Sequence, residues 1–506
     1  MFSRGSGILL HPTSLPGPDG IGDLGEAAYR FIDFLVDGGQ TLWQILPLGP
    51  LGLGCSPYNG RSAFAGNPLL IALSPLVEMG LLASDDVGHL PPLDGRQADF
   101  EAAWQRKSPL LRLAFDRFQN HRNASLWNQF QAFVAEEAGW LHDYACYEAL
   151  REHFDGQPWW TWEPELRRRD QGAIEAWERR LSREIQYQAF LQFLFAAQWD
   201  AVKRYANERG IQIIGDIPIY VAHDSADVWA HQHLFTLDSA GHPTEVTGVP
   251  PDLFSKTGQL WGNPCYRWDV LAAEGYRWWI DRFRRAFALT DIARVDHFRA
   301  FQAGWQVPAS AETAMHGRWV PGPGRKLFDA VRAKLGEIAI IVEDLGIITP
   351  DVHALRADLG YPGMKVLQFA FGGASDNPYL PHNYEPHCVV YTGTHDNDTT
   401  RHWYATGSEE QKDHVRRYLG RDGSDVVWDL IRLALSSVAV MAVIPLQDVL
   451  ELDGDARMNF PGTPYGNWQW RFQEGMLTRE HAARLLSLSE LYGRVPMEEQ
   501  DGRDGA

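Results

Sequence analysis

One arrangement recurs along the chain: a helical stretch ends at glycine, and a run of β-branched and apolar residues follows at once. The amphipathic stretch over residues 24–37 ends at two glycines before the run 41–46. The long helical pattern over 182–209 ends at Gly210 before the run 211–214. Glycine commonly closes a helix, whereas β-branched residues favour strands. The repeated unit therefore predicts βα units and a parallel sheet.

Eight such runs occur, and eight parallel strands joined by helices favour a closed barrel. A doubly wound open sheet is the alternative, but no G-x-G-x-x-G motif follows the first run. We therefore predict an α/β fold, a (β/α)8 TIM barrel with large, mostly helical insertions between barrel strands and no separate C-terminal β-domain. The predicted strands are 7–10, 41–46, 211–214, 291–295, 338–342, 364–369, 389–392 and 438–444.

The spacing of the eight runs is uneven, and this predicts where extra chain is inserted into one barrel domain over residues 1–506. We expect a helical insertion over 51–180 after the second strand. A Gly-, Pro- and Asp-rich, lid-like insertion over 220–270 should follow the third strand. The acidic end, 498–506, is expected to be a disordered tail.

The chain carries a net charge of −19, which argues against nucleic acid or an anionic membrane as a partner and suits a neutral ligand. The longest apolar stretch, 433–446, is too short to span a membrane. No signal-type apolar region follows the N-terminus. Four widely separated cysteines without metal-ligand spacing predict reduced thiols and a cytoplasmic protein, with the oligomeric state left open. They are Cys55, Cys146, Cys265 and Cys388.

Acidic residues follow five of the predicted strands, and two of them stand beside histidine. The carboxyl ends of the strands in a parallel barrel meet at one mouth, where active sites lie. A single acid at a strand end is more often a helix cap, but five ends favour a functional cluster. The residues concerned are Asp216, Asp296, Glu343, Asp396 and Asp448, with His297 and His395.

Several carboxylates without a metal are typical of glycosidic bond chemistry, in which one carboxylate attacks and one carboxylic acid protonates the leaving oxygen. Arg294 stands two residues before Asp296, so both face the same side of the strand and Asp296 stays ionised. Glu343 follows an apolar run, which favours a raised pKa. A divalent-metal site or a charge network stabilising the mouth are the alternatives, although no H-E-x-x-H motif or calcium loop is present. We predict no metal site.

Distinctive short motifs lie nearly end to end along the chain. They occupy 7–17, 43–50, 56–58, 62–68, 215–219, 248–252, 261–264, 294–299, 342–346, 393–399 and 462–468. As a set they resemble the 4-α-glucanotransferases of the amylomaltase (disproportionating enzyme) family, which are relatives of the α-amylases. The α-amylases share only short versions of these motifs.

The resemblance implies a retaining mechanism without metal or organic cofactor. Asp296 matches the nucleophile, Glu343 the acid/base, and Asp396 the carboxylate that binds sugar hydroxyls and stabilises the transition state. His297 and His395 match residues that hydrogen-bond the glucose at the cleavage point. Structural histidines are the alternative for both positions.

Further positions follow from the same resemblance. Arg294 matches the partner of the nucleophile, and Tyr58 matches an aromatic side chain that stacks beside the glucose, with a buried core tyrosine as the alternative. Asp216 and Asn459 match polar positions near the same sugar. Asp344 should point away from the site and be structural.

The segment 248–261 contains two prolines and resembles a lid over the acceptor side, with Asp252 and Trp261 as substrate-binding residues. Leu253 stands where some relatives have an aromatic residue. An ordinary connection is the alternative for this segment. A closed lid would exclude water and favour transfer over hydrolysis.

The expected function is transfer of α-1,4-glucan segments between maltodextrins or starch-type glucans, with glucose or an oligosaccharide as acceptor. An α-glucan hydrolase of the α-amylase type is the alternative. A non-catalytic glycan-binding protein would be expected to lack at least one of the three acids, and all three are present.

Overall fold

The structure, a computed structural model, describes residues 2–88, 90–120, 123–251 and 255–495. This part of the chain forms twelve strands in two sheets. The strands are β1 (Gly5–Leu9), β2 (Leu42–Gln44), β3 (Gln212–Ile217), β4 (Glu245–Val249), β5 (Gln259–Pro264), β6 (Ile292–Val295), β7 (Ala303–Pro308), β8 (Arg318–Pro321), β9 (Ile340–Val342), β10 (Gly363–Val366), β11 (Cys388–Tyr391) and β12 (Met441–Pro445).

The same residues form twenty α-helices, several of them a single turn. The helices are α1 (Glu26–Asp37), α2 (Ser74–Glu78), α3 (Ser84–Gly88), α4 (Phe100–Asn120), α5 (Ala124–Glu136), α6 (Leu141–His153), α7 (Pro164–Arg167), α8 (Gln171–Arg180), α9 (Ser182–Glu208), α10 (Ala226–Ala230), α11 (Trp268–Ala273), α12 (Arg277–Leu289), α13 (Arg299–Gln302), α14 (Arg325–Leu335), α15 (Pro350–Leu359), α16 (Thr400–Thr406), α17 (Glu409–Leu419), α18 (Val426–Ser436), α19 (Leu446–Val449) and α20 (Arg479–Leu491).

The larger sheet is a parallel barrel of eight strands in the order β10-β11-β12-β1-β2-β3-β6-β9. Its two ends meet, because the Val342 N–H at the end of β9 donates to the Pro362 carbonyl just before β10 over 3.0 Å. Each barrel strand overlaps one of the eight predicted runs, so the predicted (β/α)8 barrel is confirmed. The boundaries differ by a few residues, as at β2, where only three of the residues 41–46 form the strand.

Strand packing explains why small residues stand in the first strand. A Cβ placed on Gly7 would lie 2.1 Å from the carbonyl oxygen of Leu42 on β2, so glycine allows the two strands to approach. The helix α1 covers this pair, and its Phe31 ring meets the buried Trp43 ring edge-on at 5.2 Å. Burial of these apolar surfaces at about 25 cal/mol per Å² holds the helix on the barrel.

The long connection between β2 and β3 carries the helices α2 to α9 and packs on the same side of the barrel. Its Lys107, in α4, is fully buried, and its ammonium donates to Asp23 Oδ2 at 2.8 Å. The same ammonium donates to the carbonyls of Leu69 and Ile71 at 2.9 Å. A buried lysine with three acceptors therefore fastens α4 to the loop before α1 and to residues 69–71.

A second, antiparallel sheet lies beside the barrel mouth in the order β5-β4-β7-β8. We call these four strands the rim sheet. Two strands come from the connection after β3 and two from the connection after β6. The sequence pattern predicted no strand in either segment. The pairing of β4 with β5 is irregular: β4 contains Gly248, and a register shift separates Val246 from Gly248.

After β12 the described residues up to 495 form helices and turns with no further named strand. The predicted tail 498–506 lies outside the described residues. No helix in the described part of the chain is both long and apolar enough to cross a membrane.

Candidate active site

Arg294, on β6, lies at the centre of the carboxylate cluster at the barrel mouth. Its Nη1 is 2.6 Å from Asp216 Oδ2, and its Nη2 is 3.0 Å from Asp296 Oδ1. Its side chain is only 4% exposed. The spacing of two residues does place Arg294 and Asp296 on one side of the strand. The buried guanidinium therefore forms ion pairs with both carboxylates.

Glu343 stands next to Asp296 because β9 pairs with β6 in register, Val342 opposite Val295. Its backbone N–H donates to the Val295 carbonyl over 2.9 Å. Burial, followed by the negative charge of Asp296, raises the pKa of Glu343 to about 8, although Arg294 opposes the shift. Near neutral pH this carboxyl therefore keeps a proton that it can donate.

His297 follows Asp296 directly and adopts a φ of 47°, which is uncommon for a residue other than glycine. Its backbone N–H donates to Glu343 Oε2 over 2.9 Å. Its ring meets the Trp261 ring edge-on, with centroids 4.7 Å apart. Burial lowers the pKa of His297 to about 4, and its Nε2 is buried without a partner among the described residues. This neutral ring is free to bond a ligand.

Asp396 faces the same mouth from the turn after β11, and its side chain is 47% exposed. Asn459 Nδ2 donates to its Oδ1 over 2.6 Å, while His395 Nε2 lies 3.4 Å from its Oδ2. Arg457 Nη2 donates to its backbone carbonyl over 2.8 Å. The carboxylate is thus oriented on one side and open on the other.

Tyr58 joins the two halves of the cluster. Its hydroxyl donates to Asp216 Oδ2 over 2.8 Å, and its ring stacks on His395 at 5.0 Å with an interplanar angle of 18°. Burial and nearby carboxylates raise the pKa of Tyr58, so the phenol stays protonated and donates. The loop after β2 therefore contributes directly to the site.

The remaining strand-end acid, Asp448, does not open into the mouth. It is 2% exposed, and its Oδ2 accepts hydrogen bonds from the hydroxyls of Thr392 at 2.5 Å and Thr400 at 2.7 Å. Its Oδ1 accepts from the Thr400 N–H over 2.8 Å. Asp448 therefore fixes the turn that carries His395 and Asp396.

Asp344 also turns away from the mouth. Its Oδ1 accepts from the Met364 N–H over 2.8 Å, and its Oδ2 lies 3.3 Å from Arg356 Nε. Of the predicted site residues, Asp252 lies outside the described residues, and the other ten converge at the mouth. Within the described ranges, no group of three or more His, Cys, Asp or Glu residues is arranged to hold a metal ion.

Sequence reasoning missed three neighbours of the site. The Trp468 ring lies 5.8 Å from Tyr58 and 6.0 Å from His395, and its backbone has a φ of 67°. Met364 Sδ lies 3.4 Å from Arg294 Nε, and Arg457 holds the Asp396 turn. Trp468 closes the motif 462–468, which was the available signal, whereas the other two contacts depend on the fold.

Comparison with known proteins agrees with this geometry. A sequence model of 4-alpha-glucanotransferases matches residues 10–478. The chain belongs to the 4-alpha-glucanotransferase family. It is 50% identical over 500 residues to the 4-alpha-glucanotransferase of Thermus thermophilus, covering 97% of this chain and 99% of that protein. The enzyme of a Synechocystis strain is 49% identical, with 97% and 98% covered.

A solved amylomaltase from Streptococcus agalactiae, in complex with acarbose, has the same fold as this family member. The TM-score is 0.94 at 38% identity, and the match covers 97% of this chain and 100% of that one. Family membership and full-length similarity identify the chain as an enzyme with 4-alpha-glucanotransferase activity.

Proposed function

We propose that the enzyme transfers α-1,4-glucan segments between maltodextrins or starch-type glucans by a retaining double displacement through a glycosyl-enzyme on Asp296. The contact of Arg294 Nη2 with Asp296 Oδ1 at 3.0 Å carries this proposal, because it pairs one carboxylate with a buried cation beside Glu343, whose pKa is raised to about 8. A retaining enzyme needs one carboxylate that attacks and one carboxylic acid that donates a proton.

In the first displacement Asp296 attacks the anomeric carbon, and Glu343 gives its proton to the glycosidic oxygen. The bond between the anomeric carbon and that oxygen breaks, and the reducing-end fragment leaves with a new hydroxyl. Asp396, His297 and His395 hold the hydroxyl groups of the reacting glucose. Hydrogen bonds that strengthen toward the transition state supply part of the rate.

In the second displacement the 4-hydroxyl of an acceptor glucan attacks the same carbon. Its proton passes to the Glu343 carboxylate, and Asp296 is released. Glucose or an oligosaccharide serves as acceptor. If water attacked instead, the enzyme would be the alternative, an α-glucan hydrolase of the α-amylase type.

The rim sheet supports transfer. It carries Trp261, whose ring meets the His297 ring edge-on with centroids 4.7 Å apart. We propose that the lid-like insertion 220–270, including Asp252, closes on the acceptor and excludes water. The mechanism as written uses no metal or organic cofactor. The four cysteines carry no disulfide in the structure, which supports a cytoplasmic location.

Incubation with maltotriose tests the function. A ladder of longer maltodextrins together with glucose is the expected product pattern. Glucose and maltose alone would contradict transfer and favour the hydrolase. The variant Asp296→Ala should lose both product patterns, and Asp344→Asn, which alters an acid turned away from the mouth, serves as its control. Retained activity in Asp296→Ala would overturn the nucleophile assignment.

A further inference from the structure

A cavity of about 90 Å³ lies behind the carboxylate cluster. It is bounded by the loop after β2, the end of β3 and one side of α12. Tyr58 and Asp216 line it toward the active site, and Arg285 of α12 lines it toward the helical insertion. The cavity therefore lies between the carboxylate cluster and α12.

Asp216 has one carboxylate oxygen satisfied and one not. Its side chain is fully buried, and Oδ2 receives both Arg294 Nη1 at 2.6 Å and the Tyr58 hydroxyl at 2.8 Å. Its Oδ1 is buried and has no partner among the described residues. A buried acceptor without a donor is destabilising, so a donor is expected there.

Arg285 has a buried donor that lacks an acceptor among the described residues. Its Nε donates to the Phe64 carbonyl at 3.0 Å, and its Nη1 pairs with Glu137 Oε1 at 2.7 Å. Its Nη2 is buried and has no partner within the described part of the chain. An acceptor and a donor, each unsatisfied, thus belong to two residues that line one cavity.

We propose that water fills this cavity and connects Arg285 Nη2 to Asp216 Oδ1, which makes Arg285 a positioning residue for the reaction. A water molecule occupies about 30 Å³ in the liquid, so the cavity holds about three. Asp216 Oδ1 would accept a hydrogen bond from the water at one end of the cavity, and Arg285 Nη2 would donate to the water at the other. The proposal rests on the proposed function, because the water would hold Asp216, and through it Arg294 and Asp296, in the positions that the reaction needs.

The water matters because Asp216 must be ionised to hold both Arg294 and the Tyr58 hydroxyl. Burial raises the pKa of Asp216 to about 7, and Asp296 raises it too, whereas Arg294 and Tyr58 lower it. Hydrogen bonds from water to Oδ1 would favour the ionised form. The charged or titratable groups that act on Asp216 are Tyr58, Arg294, Asp296 and Tyr391, and Arg282 and Arg285 line the same cavity.

The variant Arg285→Met tests this role through the pH dependence of kcat on maltotriose. Loss of the donor disfavours ionised Asp216, so the acid limb should move up by about one pH unit. The ratio of variant to parent kcat should therefore fall about tenfold between pH 8 and pH 5. Arg285→Lys, which restores a buried cation, should recover most of the parent profile.

Glu137→Gln is the matched control, because it removes the ion pair of Arg285 but leaves the arginine in the cavity. It should lower stability without moving the acid limb. If Arg285→Met lowers kcat by the same factor at every pH, Arg285 is merely structural and the proposal fails.

A second pair of variants changes the cavity and leaves Arg285 intact. Ala286, on α12, lines the cavity, so Ala286→Leu should displace water and raise the acid limb as Arg285→Met does. Ala286→Ser keeps the volume and should leave the limb in place. A high-resolution crystal structure with an empty cavity would overturn the proposal. Absence of the maltodextrin ladder from the parent enzyme would instead refute the proposed function.

Discussion

The backbone N–H of His297 donates to Oε2 of Glu343 over 2.9 Å, and His297 adopts a φ of 47° at this position. A left-handed backbone at a residue other than glycine costs on the order of 1–3 kcal/mol and persists only when its surroundings hold it. The main chain after one strand therefore orients the acid at the end of the next. The acid does not depend on a flexible side chain for its direction.

Glu343 should control the alkaline limb of activity. Its raised pKa of about 8 means that it is protonated below this pH and loses its proton above it. We therefore expect kcat/KM on maltotriose to fall as the pH rises through about 8. A profile that stays flat from pH 7 to pH 10 would contradict the assignment of Glu343 as the acid.

The variant Glu343→Gln should lose about 10²–10⁴-fold in rate on maltodextrins, because general acid help is typically of this size. An α-glucosyl fluoride donor should lose far less in the first step, because fluoride leaves without a proton. Comparison of the two donors by stopped-flow kinetics measures the difference. Equal losses on both donors would point to a binding role instead.

Asn459 should orient Asp396. Its Nδ2 lies 2.6 Å from Asp396 Oδ1, so Asn459→Ala removes a charge-assisted hydrogen bond worth about 1.5–3 kcal/mol. We expect a loss of about 10–100-fold in kcat/KM. Asn459→Asp, of nearly equal size, adds a like charge and should lose more. The same loss in both variants would show that the hydrogen bond itself has little effect.

Asp448 should contribute to stability and, through its turn, to activity. Asp448→Ala leaves the Thr392 and Thr400 hydroxyls and the Thr400 N–H without their acceptor in a buried place. We expect the free energy of unfolding to fall by about 2–4 kcal/mol, measured by urea denaturation. Asp448→Asn keeps one acceptor oxygen and should lose less. Unchanged stability in Asp448→Ala would contradict this role.

Lys107 should tie the helical insertion to the barrel. Lys107→Ala leaves the Asp23 carboxylate without its cation and two carbonyls without a donor, and should cost about 3–5 kcal/mol. The double variant Lys107→Met with Asp23→Asn removes both charges and should recover part of the loss. Midpoints of thermal unfolding measure both. A smaller cost for Lys107→Ala than for the double variant would refute the ion-pair explanation.

The barrel could be predicted because its strands are buried on both sides and four of them, β2, β3, β9 and β10, follow helices that end at glycine. Even the long helix over 182–209 corresponds to α9, Ser182–Glu208. The rim sheet could not be predicted in this way. One of its strands contains Gly248, and the partners β4 and β7 come from separate connections on either side of β6. Pairing between distant segments leaves no local periodicity.

The carboxylates could be predicted because each follows a strand and parallel strands end on one side. The contacts of Tyr58 and Asn459 could not be derived from spacing, since Tyr58 lies 158 residues before Asp216 and Asn459 lies 63 after Asp396. Only the resemblance to a family marked these two. Asp448 is a strand-end acid of the expected type, yet it points away from the mouth. Thr392 and Thr400 donate three hydrogen bonds that hold it there.

The rim sheet limits which segments of the chain can be exchanged with those of a relative. Since β4 and β5 come from the connection after β3, and β7 and β8 from the connection after β6, neither connection forms the sheet alone. Exchange of one connection with a relative would remove the partner of β4 or β7 and leave an open strand edge beside the mouth. The two connections therefore have to be exchanged together, and a chimera should acquire a relative's acceptor preference only when it receives both.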